Sequence, residues 1–181
     1  MELKRFQKWA EREYSAKRRI IALIFESILF VIVIPFFLAM ISHFLDQWLQ
    51  LPRFVHGLVN PILSLLLIVP GWFFALWSIQ VQFALGCGTP SPLMATQQLV
   101  VQGPYAYCRN PMTLGNVLAY LGIGIWIGSL SAVGLVLLFA ALFGAYIKLI
   151  EERELEMRFG SKYLEYKRST PFLVPRLRKR G

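Results

Sequence analysis

The sequence predicts an all-α integral membrane protein with about four transmembrane helices, cytoplasmic termini and a C-terminal amphipathic helical tail. Hydrophobic residues make up 56% of the 181 residues and charged residues only 16%, and the hydrophobic residues fall in long blocks. Soluble domains are nearer a quarter charged and spread their apolar residues along amphipathic elements. The same hydrophobicity excludes an intrinsically disordered chain.

Four apolar blocks define the predicted spans, at 20–45, 58–85, 113–128 and 130–150. A helix needs about 20 apolar residues to cross the hydrocarbon layer, so the first, second and fourth blocks qualify alone. The third is short, and its helix is expected to start near Pro111 or to run through Ser129. Because backbone polar groups in lipid must be satisfied within the segment, all four are expected to be helical. The brief gap between the last two predicts an antiparallel hairpin.

Small and acidic residues inside these blocks carry further expectations. Gly122, Gly124 and Gly128 predict close packing of the third helix against its neighbours. Glu26 lies inside the first block, and an acidic residue within a span is by default a functional hypothesis. The favoured interpretation is that Glu26 reaches the inner interface or pairs with an arginine there. Contact with a substrate is the less favoured alternative.

Basic residues predict the orientation of the spans. Residues 1–19 carry seven lysines and arginines and the tail after Ile150 carries nine, whereas the loops 46–57 and 86–112 carry one each. Loops rich in lysine and arginine stay on the cytoplasmic side. Both termini and the 86–112 loop are therefore expected in the cytoplasm, in a bacterial inner membrane.

The surplus of positive charge, +9 in total, also indicates a partner. Aromatic residues among the charges of 1–19 are typical of an interfacial amphipathic helix on an anionic membrane surface. Nucleic acid is not expected as a partner, because no stacking platform or nucleic-acid module is recognisable. No metal is expected either: Cys87 and Cys108 flank the inner loop without nearby histidines and are interpreted as structural or incidental.

The first cluster of polar residues that could bind a ligand or take part in a reaction lies in the inner loop, around Arg109. Pro111 suits the first turn of the third helix, and Asn110 is then the candidate N-cap. Arg109 precedes a helix N-terminus, where free N–H groups and a guanidinium favour an anion. A simple topology anchor is the alternative interpretation of Arg109.

Two more clusters follow the fourth span. That span continues into a charged helix that is expected to end at Gly160, with Glu151 and Glu152 at the depth where the span meets water. Pairs four residues apart, Lys148 with Glu152 and Glu154 with Arg158, predict surface ion pairs. Ser161 is expected to cap a short final helix that stops before Pro171. Tyr163 and Tyr166 share one face of it, where the plain interpretation is an aromatic anchor.

The order of these motifs resembles a known family. Gly-Pro-Tyr-x-Tyr-x-Arg-Asn-Pro-Met-x-x-Gly, starting at Gly103, is followed by Glu-Glu-x-x-Leu-x-x-x-Phe-Gly-x-x-Tyr-x-x-Tyr, starting at Glu151. Together they are similar to the isoprenylcysteine carboxyl methyltransferase family, including its bacterial members, and to the related phospholipid N-methyltransferases. The resemblance covers residues 86–175. It divides the single membrane domain 1–181 into a basic interfacial segment (1–19), two spans (20–85), a methyltransferase-like cofactor region (86–175) and a basic tail (176–181).

The resemblance implies a membrane methyltransferase that uses S-adenosylmethionine, with a cytoplasmic cofactor pocket and a lipid-like or prenylated acceptor that enters from the bilayer. The positions that match the family's cofactor motifs are Tyr105, Arg109, Asn110, Pro111, Met112, Gly115, Glu151, Glu152 and Tyr163. From charge, we expect Arg109 to bind the cofactor carboxylate and Glu152 its ammonium or ribose, although Glu151 is an open alternative. The candidate catalytic residues are Glu152, Tyr166 and Arg168.

The chain departs from the family at a few positions. Many members have histidine where Asn110 stands, and many have tyrosine where Thr113 stands. Members often carry Arg-Val-Pro in the tail, whereas this chain has Ser-Thr-Pro at 169–171 and its nearest basic residue is Arg168. The displaced arginine weakens a prenylcysteine assignment. A phospholipid or small-amine N-methyltransferase, and a catalytically silent membrane protein, are the alternatives.

Overall fold

The computed structural model describes residues 15–54, 56–86 and 96–175. Most of the basic segment 1–19, Cys87 and the basic tail 176–181 lie outside the described residues. Every regular element within them is a helix, as the sequence predicts. Three helices are long and apolar enough to cross a membrane, and a fourth apolar helix is shorter. The chain is therefore a multi-pass membrane protein.

The first span is one continuous helix with a change of geometry in its middle. Helix α1 covers Ala16–Ile28, a π-helical turn covers Leu29–Val33, and α2 continues over Ile34–Trp48. The π-helical turn lies directly before α2, whose second residue is Pro35. Proline has no N–H to donate and crowds the preceding turn, and a single π-helical turn absorbs such a mismatch within a helix.

The second and third spans pack through small residues. Helix α3 covers Val59–Leu85 and α4 covers Pro111–Ile127. A Cβ on Gly115 would lie 2.5 Å from the carbonyl oxygen of Gly71 in α3. One on Gly122 would lie 2.9 Å from the carbonyl oxygen of Ser64. The close packing predicted for Gly122 is thus observed, and Gly115 serves the same contact.

The third and fourth spans form the expected hairpin. α4 starts at Pro111 and ends before Gly128, which adopts the left-handed conformation with φ 70°. The hydroxyl of Ser129 then accepts a 3.0 Å hydrogen bond from the N–H of Ala132 and caps α5, which covers Leu130–Tyr146. Gly128 is therefore a turn residue between α4 and α5, and it does not have the role in helix packing that was expected of it.

The fourth span runs into the charged segment without a break. A π-helical turn at Ile147–Glu151 joins α5 to α6, which covers Glu152–Phe159. As expected, this helix ends at Gly160, where φ is 56°. The final helix, α7, covers Ser161–Ser169. Gly160 occupies the N-cap position of α7, so the expectation that Ser161 caps this helix is wrong.

The two ends of the bundle are tied differently. At the end with Trp48 and Gly128, the carboxylate of Asp46 accepts a 3.1 Å hydrogen bond from the N–H of Ser131. The amide of Asn60 donates to the carbonyls of Phe54 and Ile125, at 2.7 and 2.8 Å. These buried polar side chains join the first span to the fourth and the second span to the third.

At the other end, which we call the site end, the start of α1 meets the end of α3 through Arg19. Its guanidinium donates to the carbonyl oxygen of Phe83 and lies 4.2 Å from the centre of the Phe83 ring. The start of α4 and the C-terminal helices α6 and α7 lie at this same end. The fold therefore brings the inner loop and the tail together, as the arrangement of four spans predicts.

Candidate active site

The inner loop reaches the site end through a short 3₁₀ helix at Gly103–Ala106. Gly103 has φ of 60°, and a Cβ there would lie 3.1 Å from a methyl group of Val81. The hydroxyl of Tyr105 donates a 2.6 Å hydrogen bond to the side-chain oxygen of Gln82 in α3. The loop is thus fixed to the C-terminal end of the second span before it enters α4.

A buried ion pair joins the loop to the last span. The Nη1 atom of Arg109 lies 2.7 Å from the Oε1 atom of Glu152, and both side chains are at most 10% exposed. The contact has the distance of an ion pair but not the direction of a hydrogen bond. Within the described ranges, Arg109 Nε, Arg109 Nη1 and Glu152 Oε1 are therefore buried polar atoms that lack a hydrogen-bond partner. Such atoms are costly to bury, so they mark a place where a polar ligand would be stabilised.

The second oxygen of Glu152 is held by the tail. Lys167 in α7 places its Nζ atom 2.7 Å from Glu152 Oε2 and 2.7 Å from Glu156 Oε1. The ion pair expected between Lys148 and Glu152 is replaced by this arrangement: Lys148 Nζ instead lies 4.7 Å from the centre of the Phe172 ring. The expected pair of Glu154 with Arg158 is present at 3.2 Å.

The tail is also bonded to the loop through its backbone. The N–H of Arg109 donates to the carbonyl oxygen of Pro171 at 2.9 Å. The side chain of Asn110 donates to the carbonyl oxygen of Phe172 at 3.0 Å. Asn110 does occupy the N-cap position of α4, but its side chain makes no capping hydrogen bond. The residue predicted as a cap therefore fastens the tail instead.

A small cavity of about 80 Å³ lies between the loop, the last span and α7. Its polar lining comes from side chains of four elements: Gln82, Thr96, Tyr105, Arg109, Asn110, Glu151, Tyr163 and Tyr166. Glu151 lines this cavity, whereas Glu152 lies behind Arg109 and between the two cations. The two adjacent glutamates thus face different surroundings.

Burial favours the neutral form of the tyrosines in the site even more strongly than water does. Burial raises the pKa of Tyr163 to about 12, with Glu152 adding to the shift and Arg109 opposing it. Burial likewise raises the pKa of Tyr105 and of Tyr166 above the ordinary value of a phenol. The hydroxyl of Tyr166 donates a 2.7 Å hydrogen bond to the carbonyl oxygen of Tyr105. At neutral pH these groups are therefore neutral hydrogen-bond donors.

The structure brings together most of the residues singled out from the sequence. Tyr105, Arg109, Asn110, Glu151, Tyr163 and Tyr166 line the small cavity, and Glu152 contacts Arg109. The remaining four lie elsewhere. Pro111 is buried at the start of α4, Met112 lines a separate apolar cavity, and Gly115 packs against α3. Arg168 is exposed on α7.

Three residues of the site were missed by the sequence interpretation: Gln82, Thr96 and Lys167. Gln82 is a polar residue near the inner end of an uncharged span, which could have marked it as facing protein. Lys167 follows Tyr163 by four residues and therefore lies on the same helical face. Arg168 drew attention instead because it stood closest to the family's tail motif.

The model of one protein family, described as phospholipid methyltransferase, matches residues 59–162. The matched segment runs from the start of α3 to the start of α7 and contains both the loop and the Glu-Glu segment.

The chain belongs to the phospholipid methyltransferase family. The resemblance seen in its motifs is confirmed, and the protein is a member of a methyltransferase family with membrane-spanning helices.

Three curated proteins are similar to part of this chain, and in each of them the similarity covers only part of the protein. A cobalt-zinc-cadmium resistance protein of Cupriavidus metallidurans is 41% identical over 44% of this chain and 36% of that protein. A nickel-cobalt-cadmium resistance protein of Alcaligenes xylosoxydans xylosoxydans is 36% identical over 44% of this chain and 37% of that protein. Methanethiol S-methyltransferase 2 of Bradyrhizobium diazoefficiens is 41% identical over 40% of this chain and 27% of that protein.

The match therefore spans about a third of the length of these curated relatives. No solved structure matches the chain.

Proposed function

We propose that this protein is a membrane-embedded methyltransferase that uses S-adenosylmethionine to methylate a lipid-like acceptor at the site end. The observation that carries the proposal is the buried Arg109–Glu152 pair, whose unsatisfied polar atoms adjoin a cavity lined by a second carboxylate. Membership of a methyltransferase family supports the reaction class. The basic ends support a cytoplasmic location of the site, in a bacterial inner membrane.

The residues present fit the proposed cofactor. S-adenosylmethionine, when bound, supplies an electrophilic methyl group on a sulfonium sulfur. A guanidinium suits its carboxylate, and we assign that contact to Arg109. A carboxylate suits its ammonium or ribose hydroxyls, and we assign that contact to Glu151, because Glu151 lines the cavity. Glu152 then acts as a positioning residue that orients Arg109.

The size of the cavity has a consequence for binding. Pockets that hold drug-sized ligands have volumes of about 300–1,000 Å³, whereas this cavity measures about 80 Å³. We therefore propose that α7 and the segment 170–175 move outward to admit the cofactor and close over it afterwards. The hydrogen bonds of Tyr166 and Asn110 to the loop and tail backbone hold the closed position.

Positioning and water exclusion would carry most of the acceleration. Holding two reactants in line is worth about 7–11 kcal/mol, and charge is lost in a methyl transfer from a sulfonium, so a water-poor site favours the reaction. A carboxylate acceptor needs no general base. An amine or thiol acceptor must give up a proton, and Glu151 can accept it, because both oxygens of Glu152 already contact cations.

One alternative acceptor has support from a relative. The similarity to a protein named methanethiol S-methyltransferase 2 favours a thiol as a second candidate acceptor. A phospholipid or amine acceptor would give N-methylation. A transfer assay with methyl-labelled S-adenosylmethionine over membrane lipids, prenylcysteine analogues, amines and thiols separates these acceptors.

The site assignment is tested by calorimetric binding of S-adenosylmethionine to purified variants. Arg109→Ala should weaken binding by about 100-fold, as expected from the loss of charge-assisted contacts worth about 3 kcal/mol. Glu151→Gln should weaken binding while the melting temperature stays near that of the wild type. Glu152→Gln should lower both.

The matched control is Arg153→Ala, because Arg153 is an exposed arginine beside Glu152. This variant should bind like the wild type. Unchanged affinity in Arg109→Ala and Glu151→Gln would overturn the site assignment, and no binding to the wild-type protein would overturn the proposed function.

A further inference from the structure

One wall of the small cavity at the candidate site carries polar groups without charge. Gln82, near the C-terminal end of α3, lines the cavity together with Thr96 and Tyr105. The charged groups of the lining, on Arg109 and Glu151, lie next to the start of α4 and at the end of the last span. S-adenosylmethionine has a similar division, because its methionine part is charged and its adenine base is an uncharged ring with hydrogen-bonding edges. The uncharged wall therefore suits the base.

This wall is built from the end of α3 and the loop that follows. A Cβ on Gly86, one turn after Gln82, would lie 3.0 Å from a methyl group of Thr96 and 3.2 Å from one of Val100. The carbonyl oxygen of Gly86 also accepts a 2.7 Å hydrogen bond from the N–H of Gln97. The opening proposed for α7 and the segment 170–175 moves neither of these elements. The wall is therefore formed before the cofactor enters.

The side-chain amide of Gln82 is held in one orientation by Tyr105. The Tyr105 hydroxyl donates a 2.6 Å hydrogen bond to the amide oxygen, and burial raises the pKa of this tyrosine, so the donated proton stays in place. A flipped amide would turn its NH2 group to the hydroxyl, and the buried phenolic proton would lose its acceptor, which is costly. An amide oxygen has two lone pairs. The Gln82 amide therefore retains one acceptor site and its N–H donors for a ligand.

We propose that Gln82 selects the base of the methyl donor, by accepting a hydrogen bond from the 6-amino group of adenine and donating one to ring nitrogen N1. The inference rests on the proposed function and adds the residue that determines specificity for the nucleoside. Paired amide contacts of this kind, with an acceptor beside a donor, are how asparagine and glutamine recognise adenine in nucleic acids.

Hypoxanthine is the base that this arrangement should reject. It has a carbonyl oxygen in place of the 6-amino group and an N–H at N1, so its donor and acceptor are exchanged relative to adenine. The Gln82 amide could match hypoxanthine only by flipping, and the hydrogen bond from Tyr105 opposes the flip. Tyr105 is therefore a positioning residue that acts on the base through Gln82.

The experiment compares the calorimetric affinities of the purified protein for S-adenosylhomocysteine and S-inosylhomocysteine. These compounds differ only in the base, so their contacts with Arg109 and Glu151 contribute equally. The wild-type protein should bind the adenosyl compound about tenfold more tightly or better, as expected for one paired contact to a base. Both affinities are measured on one preparation, so a partly unfolded variant leaves their ratio unaffected.

Tyr105→Phe separates base selection from a merely structural role. This variant frees the Gln82 amide to flip, so the affinities for the two compounds should become nearly equal. If Tyr105 only fixes the loop to α3, the variant should weaken both compounds alike and leave their ratio at the wild-type value. Gln82→Met should also remove the preference, and it should weaken binding of the adenosyl compound about tenfold.

The matched control is Gln80→Met. Gln80 precedes Gln82 by two residues in α3, is exposed and does not line the cavity. This variant should keep both the affinity and the preference of the wild type. A preference that is lost in Gln80→Met as well would show that any change in this part of α3 affects the base, and it would overturn the assignment to Gln82.

The remaining outcomes separate this inference from the proposed function. Equal affinities of the wild-type protein for the two compounds, or a preference that survives in Tyr105→Phe or Gln82→Met, would overturn base selection by Gln82 and leave the proposed function standing. No binding of S-adenosylmethionine or S-adenosylhomocysteine to the wild-type protein would overturn the proposed function itself. Binding with a preference that disappears in both variants would support both.

Discussion

At the scale of single residues, the carboxylate of Glu152 determines how the site is organised. One oxygen lies 2.7 Å from Arg109 and the other 2.7 Å from Lys167. A buried charge is tolerated only when it is paired, and Glu152 obtains its partners from a loop and from the tail. The sequence could identify the Glu-Glu segment as important. It could not separate the two glutamates, because their difference comes from which tertiary neighbour each one meets.

Replacing Lys167 should show the strength of this connection. Lys167→Met is expected to destabilise the protein by about 1 kcal/mol, since Glu152 loses a partner but the lysine is partly screened by solvent. Glu152 and Glu156 raise the pKa of Lys167 in the folded state. Its contribution is therefore fully present below the ordinary lysine pKa and is lost as the pH rises above it. Melting temperatures at pH 7 and at pH above 11 provide the measurement.

The neighbouring exposed arginine supplies the control for this experiment. Arg168→Met removes a positive charge from the same helix without touching Glu152, and it should change stability by less than about 0.5 kcal/mol. Equal melting temperatures for Lys167→Met and Arg168→Met at pH 7 would show that the Lys167–Glu152 contact contributes nothing.

At the scale of elements, the length and hydropathy of the apolar blocks predicted the helices well. They did not predict the irregular turns within those helices or the helix caps. The four apolar blocks, the start at Pro111 and the end at Gly160 all correspond to observed elements. The π-helical turns at Leu29–Val33 and Ile147–Glu151 were not expected. They keep the helix continuous, so helical periodicity in the sequence carries no signal for them. Asn110 and Ser161 were assigned as caps from residue type alone. The side chain of Asn110 bonds to the tail instead, and Gly160 takes the cap position expected for Ser161.

The contact between α3 and α4 depends on a missing side chain. Gly115→Ala would place a Cβ 2.5 Å from the carbonyl oxygen of Gly71 and 2.7 Å from the N–H nitrogen of Ala75. Backbone atoms cannot yield locally, so the helices must separate, at a cost of about 1–3 kcal/mol. A melting temperature several degrees below that of the wild type is expected in detergent.

Gly134 in α5 is the matched position, because a Cβ there would meet nothing within 4 Å. Gly134→Ala should be neutral or slightly stabilising, since alanine favours a helix by about 1 kcal/mol over glycine. If both variants melt at the wild-type temperature, the close contact between α3 and α4 at Gly115 does not contribute to stability.

At the scale of the whole molecule, the charge distribution and the position of the candidate site agree with each other. The loop, α6 and α7 meet at one end of the bundle, which is the end that the basic residues predict to be cytoplasmic. That the loop and tail would meet followed from counting spans. How they meet did not, because Gln82, Lys167 and the backbone of 171–172 carry no motif that marks them as partners.

Reporter fusions test this orientation. Green fluorescent protein fused after Gly181 should fluoresce in bacterial cells, and alkaline phosphatase fused at the same position should be inactive, because the former folds in the cytoplasm and the latter outside it. The reverse pattern should hold for fusions in the loop 46–57. Active alkaline phosphatase at the C-terminus would contradict the cytoplasmic placement of the site.

The buried hydrogen bonds of Asp46 and Asn60 should make their end of the bundle more rigid than the site end. At the end with these two residues, the spans are fastened by buried hydrogen bonds from Asp46 to Ser131 and from Asn60 to two carbonyls. At the site end, α1 does not pack closely on the other spans, and Arg19 joins it to α3 through the carbonyl oxygen of Phe83. Regions with few buried contacts open at lower free energy than the rest of a fold. We therefore expect thermal bending of the first span to be concentrated in α1, with the π-helical turn Leu29–Val33 as the hinge, while the end with Asp46 and Asn60 stays fixed.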